Sequence, residues 1–204
     1  MNSSAPSAEP GTATAVDGAA DRRVRADAQR NIDALLTAAA EVFAECGVDA
    51  PVRDITKKAG VGTGTLYRHY PQRSDLVAAV YRHEVDACAD AAARFAEEYE
   101  PVEALVRWLE RLQGFFATKR GLASALHSGD PAYENLPAHF RGRFVPALSA
   151  LLDAAAEAGQ IRKDVRPDEL LHAVAQISMA APMLDEGYVD RMTRLLVDGL
   201  RYSG

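Results

Sequence analysis

From residue 27 onward, apolar positions recur at intervals of three and four, the period of helices that bury one face. Ile32, Leu35, Ala39, Phe43 and Cys46 form the first stripe. It predicts a helix from about Asp27 to Cys46, closed by a left-handed Gly47. Val52, Ile55 and Ala59 predict a second, short helix opened by Pro51 and ended by Gly60. Thr63 is placed to cap a third helix of about two turns, which Pro71 stops. The stripe Val77, Tyr81, Val85, Cys88, Ala92, Phe95 and Tyr99 predicts a long helix from near Ser74 to Tyr99, about 38 Å at the usual rise. Val102, Leu105, Leu109, Leu112 and Phe116 continue the period from Pro101. Further helices are expected over Leu122–His127, Ala138–Ala158, Pro167–Pro182 and Tyr188–Arg201, joined by "HSGDPAYENLP" and "GQIRKDVR". No convincing strand appears, so the expected fold is all-α.

Composition agrees with that reading. The 204 residues include 39 alanines, 14 glycines and 10 prolines, and alanine has the highest helix propensity. The size suits one large domain or two small ones. Residues 1–21 hold only Met1 and Val16 as sizeable apolar residues, too few to offset ordering entropy, so this segment is expected to be a disordered tail. The rest divides into a three-helix unit over residues 22–73 and a larger helical body over residues 74–204. The first residues lack a basic and an apolar leader region, and no apolar run approaches the roughly 20 residues that cross a bilayer. A cytoplasmic protein with no membrane partner is the expectation. Cys46 and Cys88 both occupy apolar stripes and are expected to be buried, inert thiols.

Charge changes the picture. The net charge of −6 argues against nucleic acid as a partner, but it hides an asymmetry. Residues 1–21 carry three acids and no Lys or Arg. Residues 22–83 carry ten basic and seven acidic side chains, and residues 84–204 carry thirteen and nineteen. A short basic segment thus precedes an acidic body, a pattern suited to a nucleic-acid module with a regulatory partner domain. Arg outnumbers Lys 19 to 4 in this Ala-rich chain, so a single Arg is weak evidence of a specific contact.

The tight turn between the second and third helices makes a helix-turn-helix. In that geometry the first helix crosses the phosphate backbone and the second presents its N-terminal residues to base edges in the major groove. Such a helix needs small residues at its start and hydrogen-bonding side chains beside them. "GTGT" at residues 62–65, followed by Tyr67, Arg68, His69 and Tyr70, supplies both. Leu66 and Tyr70 fall on the opposite, core-facing side.

The stretch "LLTAAAEVFAECGVDAPVRDITKKAGVGTGTLYRHYPQRSDLVAAV" resembles the DNA-binding domain of TetR-family transcriptional regulators in order and spacing over residues 30–80. The remainder resembles the subgroup with an SbtR-like C-terminal half. The resemblance implies that Thr63, Gly64 and Thr65 open the recognition helix, with Thr63 and Thr65 nearest bases and phosphate. It implies phosphate contacts for Tyr67 and Arg73, a backbone-proximal His69, and further donors in Arg68, Arg53 and Lys57. The "RRVR" tract at residues 22–25 is either a minor-groove arm or a solvated chain end. Gln72 departs from the Ser, Thr or Asn usual at that cap.

For the body, the resemblance implies a small-molecule effector site and a two-fold homodimer on a palindromic operator of double-stranded DNA. Trp108, Phe115, Phe116, Tyr133, Phe140 and Phe144, with Arg111, His127, His172 or Gln176 as polar anchors, are candidate pocket residues. Aromatic residues at helical spacing are equally read as plain core. Leu171, Val174, Ser178, Met192 and Leu196 are candidate dimer residues, because the last two helices carry apolar faces too wide for one neighbour. No catalytic motif appears. "HEVDA" at residues 83–87 lacks the second zinc-binding His, and "GVGTGT" lacks the third glycine of a dinucleotide loop. His83, Asp86 and Asp90 read as an exposed polar face. No cofactor or metal is expected. The competing reading is a helical small-molecule-binding protein or enzyme that retains a non-functional helix-turn-helix.

Overall fold

The computed structural model describes residues 13–180 and 187–201. Every regular element among them is helical. The order is α1 (Ala13–Cys46), α2 (Val52–Ala59), α3 (Thr63–His69), α4 (Arg73–Glu98), α5 (Pro101–Gly121), α6 (Ala123–Leu126), α7 (Leu136–Glu157), α8 (Pro167–Ala180) and α9 (Tyr188–Leu200). A 3-10 turn at Pro131–Tyr133 interrupts the connector before α7. No described helix is long and apolar enough to cross a membrane.

The local stop signals act as the sequence predicts. Gly47 and Gly60 take left-handed φ values of 76° and 68°, and Pro101 opens α5. Gln72 serves as the cap of α4, where the Asp75 carboxylate accepts a hydrogen bond from the Gln72 backbone N–H at 3.1 Å. The departure at Gln72 therefore leaves this helix start intact. α1 differs most from expectation. It begins at Ala13, inside the segment expected to be disordered, because alanine and arginine are strong helix formers and "ATAVDGAADRRVR" contains no proline. Residues 1–12 of that segment lie outside the described residues, as do Ala181 and Pro182 at the expected end of the eighth helix.

α4 is the common neighbour of both halves, packing on α1, α5 and α7. Leu35, Phe43, Ile55, Leu66 and Leu76 close the core of the three-helix unit. The body's core is aromatic. Phe115 meets Phe116, Phe140 and Phe144 at centroid distances of 5.4, 5.8 and 5.1 Å, and Phe140 meets Phe144 at 4.7 Å. Edge-on pairs at such distances add stabilisation beyond burial. Asp86 and Asp90, expected as an exposed polar face, keep exposed side chains and also tie α4 to α7. Both accept hydrogen bonds from Arg143, at 2.7 and 2.5 Å, and Asp86 also pairs with His139 at 3.0 Å.

α5 approaches the backbone of α1 closely at Gly121. A Cβ there would lie 2.2 Å from the Phe43 carbonyl oxygen and 3.0 Å from the Ala44 Cα, both backbone atoms of α1. Gly114, on the same helix α5, has only the Arg111 guanidinium near its own Cβ position, at an ordinary 3.7 Å. Replacing Gly121 with Ala should therefore force α5 off α1 and lower the denaturation midpoint. Gly114→Ala should raise stability by about 0.5–1 kcal/mol through helix propensity. Equal midpoints for the two variants would contradict the close approach.

The thiols also separate. Cys88 is buried, and burial pushes its thiol up to about 12. Cys46 is exposed, contrary to expectation, because its place at the last turn of α1 lies beyond the reach of the core. A maleimide should modify Cys46 in the folded protein and Cys88 only after unfolding, as read by intact mass.

Candidate nucleic-acid interface

Pro51 precedes α2 with φ −60° and ψ 135°, which fixes the chain's entry into the helix. At the other end the N–H groups of Gly60 and Val61 reach the Lys57 and Thr56 carbonyls at 3.3 and 3.1 Å. The chain turns there and restarts at Gly62, the N-cap of α3. Thr63 is therefore the first helical residue and not the cap. Its hydroxyl lies 3.4 Å from that of Thr56, tying α3 to α2. Ile55 and Leu66 are buried between the helices, and Tyr70 is half-buried against them.

The opposite side of α3 is open. Thr63, Gly64, Tyr67, Arg68 and His69 are exposed, and Thr65 is half-buried. Gly64 has no heavy atom within 4 Å of its would-be Cβ. Tyr67 is 53% exposed, unusual for so large a ring. Arg53 and Lys57 project from α2 as exposed cations without an ion pair among the described residues. Lys58 beside them is committed elsewhere. Its ammonium meets Glu41 at 2.7 Å and Glu45 at 3.7 Å on α1, and the hydrogen bond to Glu41 raises its pKa. The "RRVR" tract lies on the continuous backbone of α1 rather than in an extended arm.

Arg73 does not face outward with these cations. Its Nε donates to the Val48 carbonyl at 2.7 Å, and its Nη2 donates to the Val48 and Ala50 carbonyls, the latter at 2.6 Å. The guanidinium carbon lies 4.9 Å from the centroid of the Phe43 ring. Partial burial lowers its pKa. Arg73 thus clamps the α1–α2 connection onto α4, a structural engagement beside the phosphate role that the resemblance implies. The sequence could not distinguish the two, since an Arg at a helix start serves either purpose.

The description "Bacterial regulatory proteins, tetR family" matches residues 35–80, and "Transcriptional regulator SbtR-like, C-terminal domain" matches residues 100–202. The chain is 37% identical to TetR transcriptional regulator SCO0520 from Streptomyces coelicolor, with a TM-score of 0.74 over 84% of this chain and 99% of that one. The chain belongs to the TetR family. A TetR transcription regulatory protein from Mycobacterium vanbaalenii is 32% identical, with a TM-score of 0.68 over 88% of this chain and 99% of that one. Among curated relatives, the HTH-type transcriptional repressor LfrR of Mycolicibacterium smegmatis is 39% identical over 79 residues, which are 39% of this chain and 41% of LfrR. KstR2 of Mycobacterium tuberculosis is 39% identical over 83 residues, 40% of this chain and 38% of that repressor. The chain thus matches about two fifths of the length of these curated relatives.

In this TetR-family body the expected pocket residues divide. Trp108, Phe115 and Phe144 are fully buried core, and the Trp108 indole N–H donates to the Cys88 carbonyl at 2.9 Å. Arg111 points to Glu84, 4.0 Å away. None of these four borders the large cleft. That cleft, about 720 Å³ between α5, α7 and α8, is lined by His127, His172 and Gln176 together with Phe116, Lys119 and Phe140. Phe116 and Phe140, also candidates from the sequence, border this cleft, whereas the neighbouring Phe115 does not.

The expected dimer residues divide likewise. Leu171, Val174 and Ser178 are buried within the protomer, where the Ser178 carbonyl accepts from Arg120 at 2.9 Å. Met192 and Leu196 are half-buried. The large apolar side chains that do face outward here are Met179, 49% exposed, and Leu195, 63% exposed.

Removing the Arg73 guanidinium should lower folding stability by about 1.5–3 kcal/mol, the usual worth of charge-assisted hydrogen bonds. It should leave the salt dependence of DNA binding unchanged. Arg53→Ala should do the reverse, reducing the slope of log K against log salt by about one while the melting temperature holds. Calorimetric melts and salt-titrated binding isotherms read both effects.

Proposed function

We propose that the chain is a cytoplasmic, sequence-specific repressor that binds a palindromic operator as a homodimer and is released from it by a small-molecule effector. The observation that carries this reading is the outward edge of α3. Its polar and aromatic side chains stand clear of the core and beside the unpaired Arg53 and Lys57. Apart from the Thr63 hydroxyl, which meets that of Thr56, this edge keeps hydrogen-bonding capacity to give a duplex. On this reading residues 22–73 form the DNA-binding unit and residues 74–204 the effector-binding and dimerisation unit.

The roles follow from placement. Thr63, Gly64 and Thr65 open α3 toward base edges, where a side chain on residue 64 would obstruct the groove. Tyr67 and His69 lie toward the sugar-phosphate backbone. Arg68 adds a donor, while Arg53 and Lys57 meet phosphate from α2. Met179, Met192, Leu195 and Leu196 form the face on which a second copy packs, burying side chains that are costly to leave in water. A two-fold pair presents its recognition helices to half-sites one helical turn, about 34–36 Å, or a multiple apart. The effector acts by binding more tightly to the conformation whose recognition helices no longer match that spacing.

Selection of sites from a randomised duplex pool by the purified protein, near 100 mM salt as a working order of magnitude, should return an inverted repeat. Thr65→Ala should then change base preference at one half-site position by about 1–3 kcal/mol. Recovery of sequences without two-fold symmetry would contradict the dimeric reading, and recovery of none would favour a helix-turn-helix without function.

A further inference from the structure

The cleft between α5, α7 and α8 has an unusual charge arrangement. Lys119 is half-buried on its floor, and burial lowers the pKa of its ammonium. The Nζ lies 6.0 and 5.7 Å from the centroids of Phe116 and Phe140. Among the described residues it has no carboxylate partner. Carboxylates are close at hand, since Asp168 and Glu169 stand at the rim of the same cleft. They are taken instead by Arg166, whose Nη2 and Nη1 lie 3.0 and 3.2 Å from them. Arg141, also on the rim, is exposed and free of ion pairs among the described residues. Among the described residues the cleft therefore holds a partly desolvated Lys119 without a carboxylate partner, near two aromatic rings, with Arg141 also lining it.

A cation placed so costs free energy to desolvate, and the ring faces compensate only in part. A bound anion removes the deficit. The volume of about 720 Å³ is that of a small-molecule site. Phe116, Phe140, Val145 and Leu171 offer an apolar lining for the rest of the ligand. One Arg166 guanidinium against the two carboxylates of Asp168 and Glu169 leaves one residual negative charge at the rim, which works against a polyanion such as a phosphorylated or nucleotide-linked compound. We infer that the cleft binds an amphipathic organic monocarboxylate, its carboxylate on Lys119 and its hydrocarbon body against Phe116 and Phe140.

This inference deepens the effector reading and rests on it for its regulatory meaning. The connection to DNA is short. Lys119 is two residues from Gly121, where α5 presses on the backbone of α1. Arg120 between them holds the Ser178 carbonyl of α8. A carboxylate drawn to Lys119 thus acts on a turn of α5 that presses on α1.

The test is isothermal titration of the full chain with octanoate and phenylbutyrate, each compared with its uncharged alcohol. The carboxylates should bind about tenfold or more tightly than the alcohols, the worth of one charge-assisted contact. Lys119→Met should abolish the preference while keeping alcohol binding and the melting temperature, and Lys163→Met, at a remote exposed lysine, should keep it. Equal binding of acid and alcohol, a preference that survives in Lys119→Met, or no binding of either acid because a second copy covers the cleft would each overturn the inference. A parallel measurement of the selected duplex separates the two claims. Carboxylate binding through Lys119 without release of DNA would uphold the ligand class and reject its effector role.

Discussion

Phe43 stands where the head and the body of this molecule meet. Its ring lies beneath the Arg73 guanidinium in the core of the three-helix unit. Its carbonyl oxygen accepts the Gly47 N–H at 2.9 Å as α1 ends. The same oxygen faces Gly121 at a separation no side chain on residue 121 could share. Protein interiors do not deform continuously, so two backbones in such contact move together or part. The orientation of α2 and α3 relative to the body follows from this one residue and its neighbours.

The last turn of α5 gathers the other constraints. Lys119 faces the cleft, Arg120 reaches α8, and Gly121 meets α1. Three consecutive residues thus address ligand space, the outer helices and the head. α4 complements them from the other side. Arg73 at its start grips the carbonyls of Val48 and Ala50, while Asp86 and Asp90 further along hold Arg143 of α7. A shift of α7 or α8 around a ligand has two routes to the head, one through α4 and one through α5.

Much of the fold was legible in the sequence because it depends on local chemistry. Left-handed glycines at 47 and 60, a proline at 101 and apolar stripes act within a turn or two of themselves. The helix-turn-helix was legible for the same reason, since Ile55, Leu66 and the "GTGT" start are all short-range signals. The beginning of α1 was misread because few apolar residues do not prevent an alanine-rich segment from forming helix. Cys46 was misread, and the engagements of Arg73 and Trp108 were not legible, because they depend on what lies across the fold. An arginine clamp on Val48, a cysteine beyond the core's reach and an indole bonded to Cys88 are tertiary facts. The burial of Val174 and Ser178 on α8 was not legible for the same reason. Val174 and Ser178 look inward only once α5 and α7 are in place. Lys119 escaped notice entirely, as nothing in its neighbourhood along the chain shows that acids nearby in space are engaged by Arg166.

The junction at Gly121 has an evolutionary implication. On the α1 side it consists of main-chain atoms, the Phe43 carbonyl and the Ala44 Cα. It asks of the head a regular helix of the right length and little else. Mutations on the recognition edge of α3 leave it untouched, and so would replacement of the whole head by another whose first helix ends in the same register. On the proposed function, operator preference and ligand preference are therefore free to diverge on separate clocks. Grafting at this helix end offers a physical route by which one sensing body acquires new target genes.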